Sequence, residues 1–173
     1  MPYFIGRVVD DKKALIEGKP ADFRKKYGLD IREHHEVTGI DTDKCLIEIH
    51  DIKAKRTFTE EYDRMMFAAG AIPVVPDMEG IDSRGIFGVN TLQSGLDLFK
   101  YVEKRKPEKA VVIGGGYIGL EMAENLLKRG MEVSLIERSS EVMGTLDEDM
   151  GRLVSRALEK AGVRLYRNES LEG

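Results

Sequence analysis

Six consecutive residues near the middle of the chain could do chemistry through their backbone alone: Gly114-Gly115-Gly116-Tyr117-Ile118-Gly119. Their spacing is Gly-x-Gly-x-x-Gly, a weak signal without context. The context is present here. The motif follows an apolar run, Ala110-Val111-Val112-Ile113, and opens a stretch with helical spacing. Eighteen residues beyond Gly119 stands Glu137, at the end of a second apolar run. A strand, glycine turn, helix and strand of this kind cradle the pyrophosphate of a dinucleotide. Gly114 permits the tight turn, Gly116 lets the backbone approach the pyrophosphate, and Gly119 lets the helix lie close to the strand. Gly115, Tyr117 and Ile118 complete the turn and the first helical turn, whose free N–H groups and partial positive charge favour an anion. Glu137 is placed to accept a hydrogen bond from a ribose hydroxyl, which favours NAD(H). Arg138 beside it could hold a 2′-phosphate, so NADP(H) stays open. A methyltransferase also joins a glycine-rich first turn to an acid after the second strand. Those enzymes usually carry an acid just before the first glycine, where this chain has Ile113.

The elements that must position this turn are legible on both sides of it. The helix after the turn runs from about Tyr117 to Arg129, with Ile118, Met122, Leu126 and Leu127 inward and Gly130 as its stop. A strand at Glu132 to Ile136 and a helix capped by Asp147, carrying Met150, Val154 and Leu158 and ending at Gly162, come next. Val163 to Tyr166 closes a βαβαβ unit, which is half of a doubly wound nucleotide fold. Upstream, Leu92, Leu96, Phe99 and Val102 mark one face of a helix, and Lys104-Arg105-Lys106-Pro107 breaks it. Residues 31–60 alternate with period two in three runs: Ile31 to Val37, Cys45 to His50 and Arg56 to Glu60. These predict a small antiparallel meander. Residues 1–30 read as a loop and short helices, one starting at Pro20 with Phe23 and Tyr27 on a face and Gly28 beyond its end. Met65-Met66-Phe67-Ala68-Ala69-Gly70 predicts a buried strand that stops abruptly before Pro73 and Pro76. The fold class is therefore α/β: a partial Rossmann-like unit in residues 108–173, and a partial flavin-type domain with a meander in residues 1–107.

Composition narrows the classes of function. Apolar residues at 42% and charged residues at 34% fit a globular chain, and no apolar run reaches the roughly 18 residues needed to span a bilayer. No basic segment leads into an apolar one at the N-terminus, so a cytoplasmic location is the expectation. The net charge of −4, with Lys and Arg scattered among acids, argues against nucleic acid as a partner. Cys45 is the one cysteine, which excludes an intrachain disulfide and a Cys-x-x-Cys metal site. Its alternating neighbours make it a small half-buried strand residue rather than a nucleophile. One Gln and three Asn among many charges suggest a thermophilic source.

Three passages resemble the pyridine-nucleotide-disulfide oxidoreductase family, with the coenzyme A-disulfide reductase and NADH oxidase branch the nearest in pattern. Ala110 to Arg138 is similar to the family's NAD motif. Tyr62-Asp63 through Ala69-Gly70-Ala71-Ile72-Pro73 is similar to its second flavin motif, with Ala69 where the family has threonine. Glu36-Val37, followed by Ile40-Asp41, resembles the segment whose backbone meets the flavin adenine. The resemblance implies flavin contacts at Val37, Ala69 and Gly70. It also implies that Tyr117 gates the nicotinamide pocket and that Glu121 lies near that pocket. Taken alone, Tyr117 is a first-turn helix residue and Glu121 an exposed helix charge.

The family's redox motif is Cys-Gly-x-Pro-Tyr, and Met1-Pro2-Tyr3 matches it from the third position. The cysteine would lie two residues before Met1, and no catalytic residue is assigned within the chain. The expectation is an internal piece of a longer enzyme that uses FAD and NAD(P)H. Nicotinamide would pass a hydride to the flavin, and electrons would go on to a disulfide or related sulfur substrate, or to oxygen. The alternative is a non-enzymatic module that retains nicotinamide dinucleotide binding. Incomplete sheets expose edges and apolar faces, so self-association or a homo-oligomer is expected.

Overall fold

A computed structural model of the chain describes residues 1–172; Gly173, the last residue of the expected nucleotide-binding half, lies outside them. The backbone divides into two compact units. One comprises Glu17–Ala71, and the other comprises Met1–Ile16 together with the chain from Ile72 onward.

The Glu17–Ala71 unit carries helix α2 (Pro20–Tyr27) and a meander of β1 (His35–Asp41), β2 (Leu46–Asp51) and β3 (Arg56–Glu61), paired antiparallel in that order. One device makes both hairpins. The Asp41 carboxylate accepts the N–H groups of Asp43 and Lys44 at 3.1 and 2.9 Å. The Asp51 carboxylate does the same for Lys53 and Ala54 at 3.0 and 2.9 Å. Each turn closes on a residue in the left-handed region, Cys45 and Lys55. This corrects two expectations. Cys45 is an exposed turn residue at φ 53°, because the Asp41 turn uses it as its left-handed step and β2 starts one residue later. The first strand spans His35–Asp41 rather than 31–37, since its register against Leu46–Asp51 begins at His35 and left-handed His34 bends the chain before it.

A third expectation fails after the meander. Met65 to Gly70 forms no strand, and Met66 and Phe67 are 89% and 75% exposed. Tyr62 gives its N–H to Cys45 and the chain then leaves the sheet. A strand buried on both faces needs ladder partners, and none among the described residues pairs with this run.

In the larger unit, β4 (Lys109–Ile113), β5 (Glu132–Glu137) and β6 (Arg164–Arg167) form a parallel sheet in that order. Helices α4 (Tyr117–Lys128) and α5 (Glu148–Ala161) make the crossovers. With α1 (Pro2–Ile5) and α3 (Leu92–Arg105) they help build a core of Ile5, Val102, Met122, Ala123, Leu126, Val133 and Leu135. Alternation along β5 explains the layer: Val133 and Leu135 point into the core, while the opposite sheet face leaves Val111, Ile113 and Tyr166 exposed. Ile118 and Met150, expected inward, are 57% and 49% exposed. Both sit in the first turn of their helices, before the stretch that packs on the core. Thr91 caps α3 by accepting the Ser94 N–H at 3.1 Å, and Ser94 returns the bond.

The N-terminal residues are packed into this unit. Ile5 is fully buried, and any side chain at Gly6 or Gly95 would collide with Asn125 or Met1 respectively. Glu103 on α3 ties the arrangement together by pairing with both Arg7 and Arg129. Leu135→Ala, which empties a fully buried position in the sheet, should lower stability by about 2–5 kcal/mol, read as a fall in urea midpoint at unchanged m-value.

Candidate functional site

The candidate site starts where the β4–β5 ladder runs out. Ile113 pairs with Ile136, and the Gly114 N–H still reaches the Ile136 carbonyl at 2.9 Å. Gly114 then turns at φ 93°, a conformation that costs an L-residue dearly and a glycine little. One residue on, a side chain continues the ladder: the Gly115 N–H donates to Glu137 Oε2 at 2.7 Å. The Gly115 carbonyl accepts the Met143 N–H at 2.8 Å. A methyl group at 115 would lie 2.6 Å from Val142 Cγ1, so the loop after β5 is pressed flat onto the turn. A side chain at Gly119 would drive into the Gly114 carbonyl oxygen, which is the close helix-to-turn approach expected of that glycine.

Gly116 differs from its neighbours. Nothing lies within 4 Å of where its Cβ would be, and its backbone is extended. It is the N-cap of α4, yet no side chain caps the helix and no acid stands in its first turn. The first helical bond runs from Leu120 N–H to Gly116 carbonyl at 3.0 Å, so the earlier N–H groups are left to a ligand or water. Open space, free donors and the positive end of a twelve-residue helix coincide, and together they suit a pyrophosphate. Tyr117 and Ile118, 63% and 57% exposed, flank this opening. Glu121, one turn further along α4, is half-buried rather than exposed.

Glu137 is held from two sides. Besides the Gly115 bond, its Oε1 accepts the Ser139 N–H at 2.8 Å. Partial burial pushes the carboxyl up, but these two backbone donors, the Ser139 hydroxyl and the nearby Arg138 charge outweigh it and hold the group below the usual glutamate range. Arg138 is exposed.

Of the expected site residues, Gly114 to Gly119, Glu137 and Arg138 thus lie around one turn, with Glu121 on the helix it opens. Val37, Ala69 and Gly70 belong to the Glu17–Ala71 unit. Val37 lies at a register shift in β1, and Gly70 has φ 79° in an exposed segment. Sequence reasoning missed Ser139, Val142 and Met143, which brace the turn from the loop. The signal was there: an apolar Val-Met pair inside an otherwise polar loop, which only makes sense if the loop is packed down. Glu141 helps by pairing with Arg167 at 2.9 Å and Arg152 at 3.7 Å.

Parallel βαβαβ architecture with a glycine turn of this spacing is the arrangement found in dinucleotide-binding folds. Residues 4–173 match the model of the pyridine nucleotide-disulphide oxidoreductase family, and the chain belongs to that family. It is 34% identical over 173 residues to an NADH oxidase of Methanocaldococcus jannaschii, covering 99% of this chain and 38% of that protein. It is 29% identical over 171 residues to a coenzyme A disulfide reductase of Staphylococcus haemolyticus, again covering 99% and 38%. Among solved structures it resembles an engineered water-forming NADPH oxidase bound to NADPH, derived from the Lactobacillus brevis NADH oxidase. The TM-score is 0.83 at 29% identity, covering 99% of this chain and 38% of that one. That protein carries a Gly→Ala substitution and, beginning eighteen positions later, consecutive Asp→Ala, Ala→Arg and Met→Ser substitutions. The chain therefore spans about 38% of the length of the curated relatives it matches. Among the described residues no helix is long and apolar enough to cross a membrane.

The sign of the Glu137 contribution is fixed by its lowered folded value. Its two hydrogen bonds support the fold above the unfolded value of about 4.3, and that support is lost as pH falls through the lower folded value. The stability gap between the chain and its Glu137→Gln variant should be constant at neutral pH and close on acidification below that value. A gap that persisted at the lowest pH would contradict the hydrogen-bonding role; thermal melts across pH measure it.

Proposed function

We propose that the turn at 114–119 binds the pyrophosphate of NAD(P)H and, within the whole protein, presents the nicotinamide to a bound FAD in an oxidoreductase. The observation that carries this reading is the coincidence at Gly116 of open space with uncapped helix N–H groups. Glu137 would take a ribose hydroxyl on acceptor positions its two backbone donors leave free. Tyr117, exposed beside the turn, would close over the nicotinamide, with Glu121 one helical turn behind it. Residues 1–107 would belong with the flavin, through Val37, Ala69 and Gly70, and residues 108–173 with the nicotinamide dinucleotide.

When bound, the flavin supplies the redox chemistry, taking a hydride and passing electrons on. This chain's residues position the donor and keep its phosphates neutralised. The relatives support a disulfide or related sulfur acceptor, or oxygen, in the whole protein; one is an NADH oxidase and another a coenzyme A disulfide reductase. Gly116→Asp tests the reading cleanly, because a side chain there meets no neighbour and the fold should survive. NADH fluorescence titration should show binding by the chain and a loss of at least about tenfold in the variant, as an acid beside a pyrophosphate requires. Equal binding by both would refute the site.

The bare sheet face with Val111, Ile113 and Tyr166 supports self-association. Light scattering should report a mass above 19.5 kDa that falls towards it on dilution; a concentration-independent monomer would count against this part.

A further inference from the structure

Helix α5 carries two apolar stripes. Val154 and Leu158 pack against the core, with Gly151 and Ser155 buried beside them. The second stripe faces away from the core. Leu146, just before the helix, and Met150 and Leu153 on it are 39%, 49% and 56% exposed, and exposed Ala157 continues the line. Their spacing is four, three and four residues, the alternation with which one helix seats against another. Scattered exposed leucines need no explanation, but large apolar side chains in this register form a seam.

The charges beside the seam show what fits it. Asp149 and Arg156 border it on one side, seven residues apart. Asp149 accepts only the adjacent Met150 N–H at 2.9 Å, and neither residue is in an ion pair among the described residues. The next charges outward are already committed, Arg152 to Glu141 and Glu148, and Glu159 to Arg167. An acid and a base left over at the two ends of one border complement the same border run in the opposite direction. Across a two-fold axis, Met150 faces Leu153 of the second copy and Leu146 faces its Ala157, each contact occurring twice. The same register sets Asp149 beside Arg156 of the second copy, again twice, and opposes the two helix dipoles. A parallel pairing would instead bring like charges level.

We infer that the outer face of α5 is a homodimer surface, on which a second copy of this chain docks antiparallel through Leu146, Met150 and Leu153 and crossed Asp149–Arg156 ion pairs. The contact is separate from the bare sheet face and does not depend on the turn binding a nucleotide. Three large side chains from each copy make a small interface, so the dimer forms at concentrations above about 1 μM.

Sedimentation equilibrium tests this in a background whose sheet face is made polar, Val111→Thr with Tyr166→Thr, so that α5 alone remains to pair. The chain should move between 19.5 kDa and twice that mass as concentration rises, and dissociate more readily at high salt. Adding Arg156→Asp should weaken pairing by about tenfold or more, because both ion pairs become like-charge contacts. Adding Asp149→Arg as well should restore it to within about threefold, since the border is then complementary with its signs exchanged. Met150→Gln with Leu153→Gln should leave a monomer over the same range. Pairing unchanged by Arg156→Asp, or no rescue by the second reversal, overturns the inference. So does a monomer at every concentration in the polar-sheet background; association of the unaltered chain would then belong to the sheet face alone. All the substituted side chains are exposed, and circular dichroism checks each fold. If the polar-sheet background unfolds, the same charge series in the unaltered chain decides the matter.

Discussion

Gly115 has no hydrogen-bonding group to spare. Its N–H goes to the carboxylate at the end of β5, and its carbonyl receives the N–H of Met143 from the loop that leads into α5. Because a residue has one donor and one acceptor on its backbone, this double commitment fixes the plane of the turn. The end of β4, the end of β5 and the approach to α5 are joined at one residue. It must be glycine, since the same loop brings Val142 to within van der Waals contact of its Cα face. What the fold does elsewhere follows. The parallel register that starts at Lys109 against Glu132 runs without a slip to Ile113 against Ile136, and then passes to a side chain.

A ligand that meets this surface finds donors already aimed and pays little to organise them. The rigidity has a division of labour. Gly115 and Gly119 are filled in by their neighbours, whereas Gly116 faces open space. The two constrained glycines hold the shape, and on the proposed reading the unconstrained one would receive the phosphates. Bracing comes from the loop after β5: Val142 is almost fully buried, and Glu141 binds this loop to Arg152 and Arg167. Stability of the core and readiness of the site are the same property here, because the loop that covers Leu135 and its neighbours also presses on the turn.

Much of this was legible from residue order. The Gly-x-Gly-x-x-Gly spacing with Glu137 eighteen residues on, and the Asp147 and Gly162 limits of α5, are local signals, and local signals survive folding. The misreadings all came where a tertiary or turn interaction overrode a pattern. Alternation through Cys45 said strand, but the Asp41 carboxylate spent its lone pairs on a turn and pushed the strand's start to Leu46. Met65 to Phe67 has the composition of a buried strand, and composition says nothing of which ladder will accept it. Ile118 fits the apolar stripe of α4, yet it stands on the turn that overhangs the core. The bracing loop escaped because its contact with Gly115 depends on the space a missing Cβ leaves, which no periodicity records.

The two Asp-closed hairpins have a practical side. The chain has a single thiol, and the Asp41 turn lifts it out of the sheet to a position where the backbone, held by Tyr62 N–H on the Cys45 carbonyl, is ordered while the sulfur is exposed. A maleimide dye would therefore attach at one defined point, on the meander and away in sequence from the glycine turn. Changes in that dye's emission would report on its surroundings in the meander, while the nicotinamide's own fluorescence would report on the glycine turn.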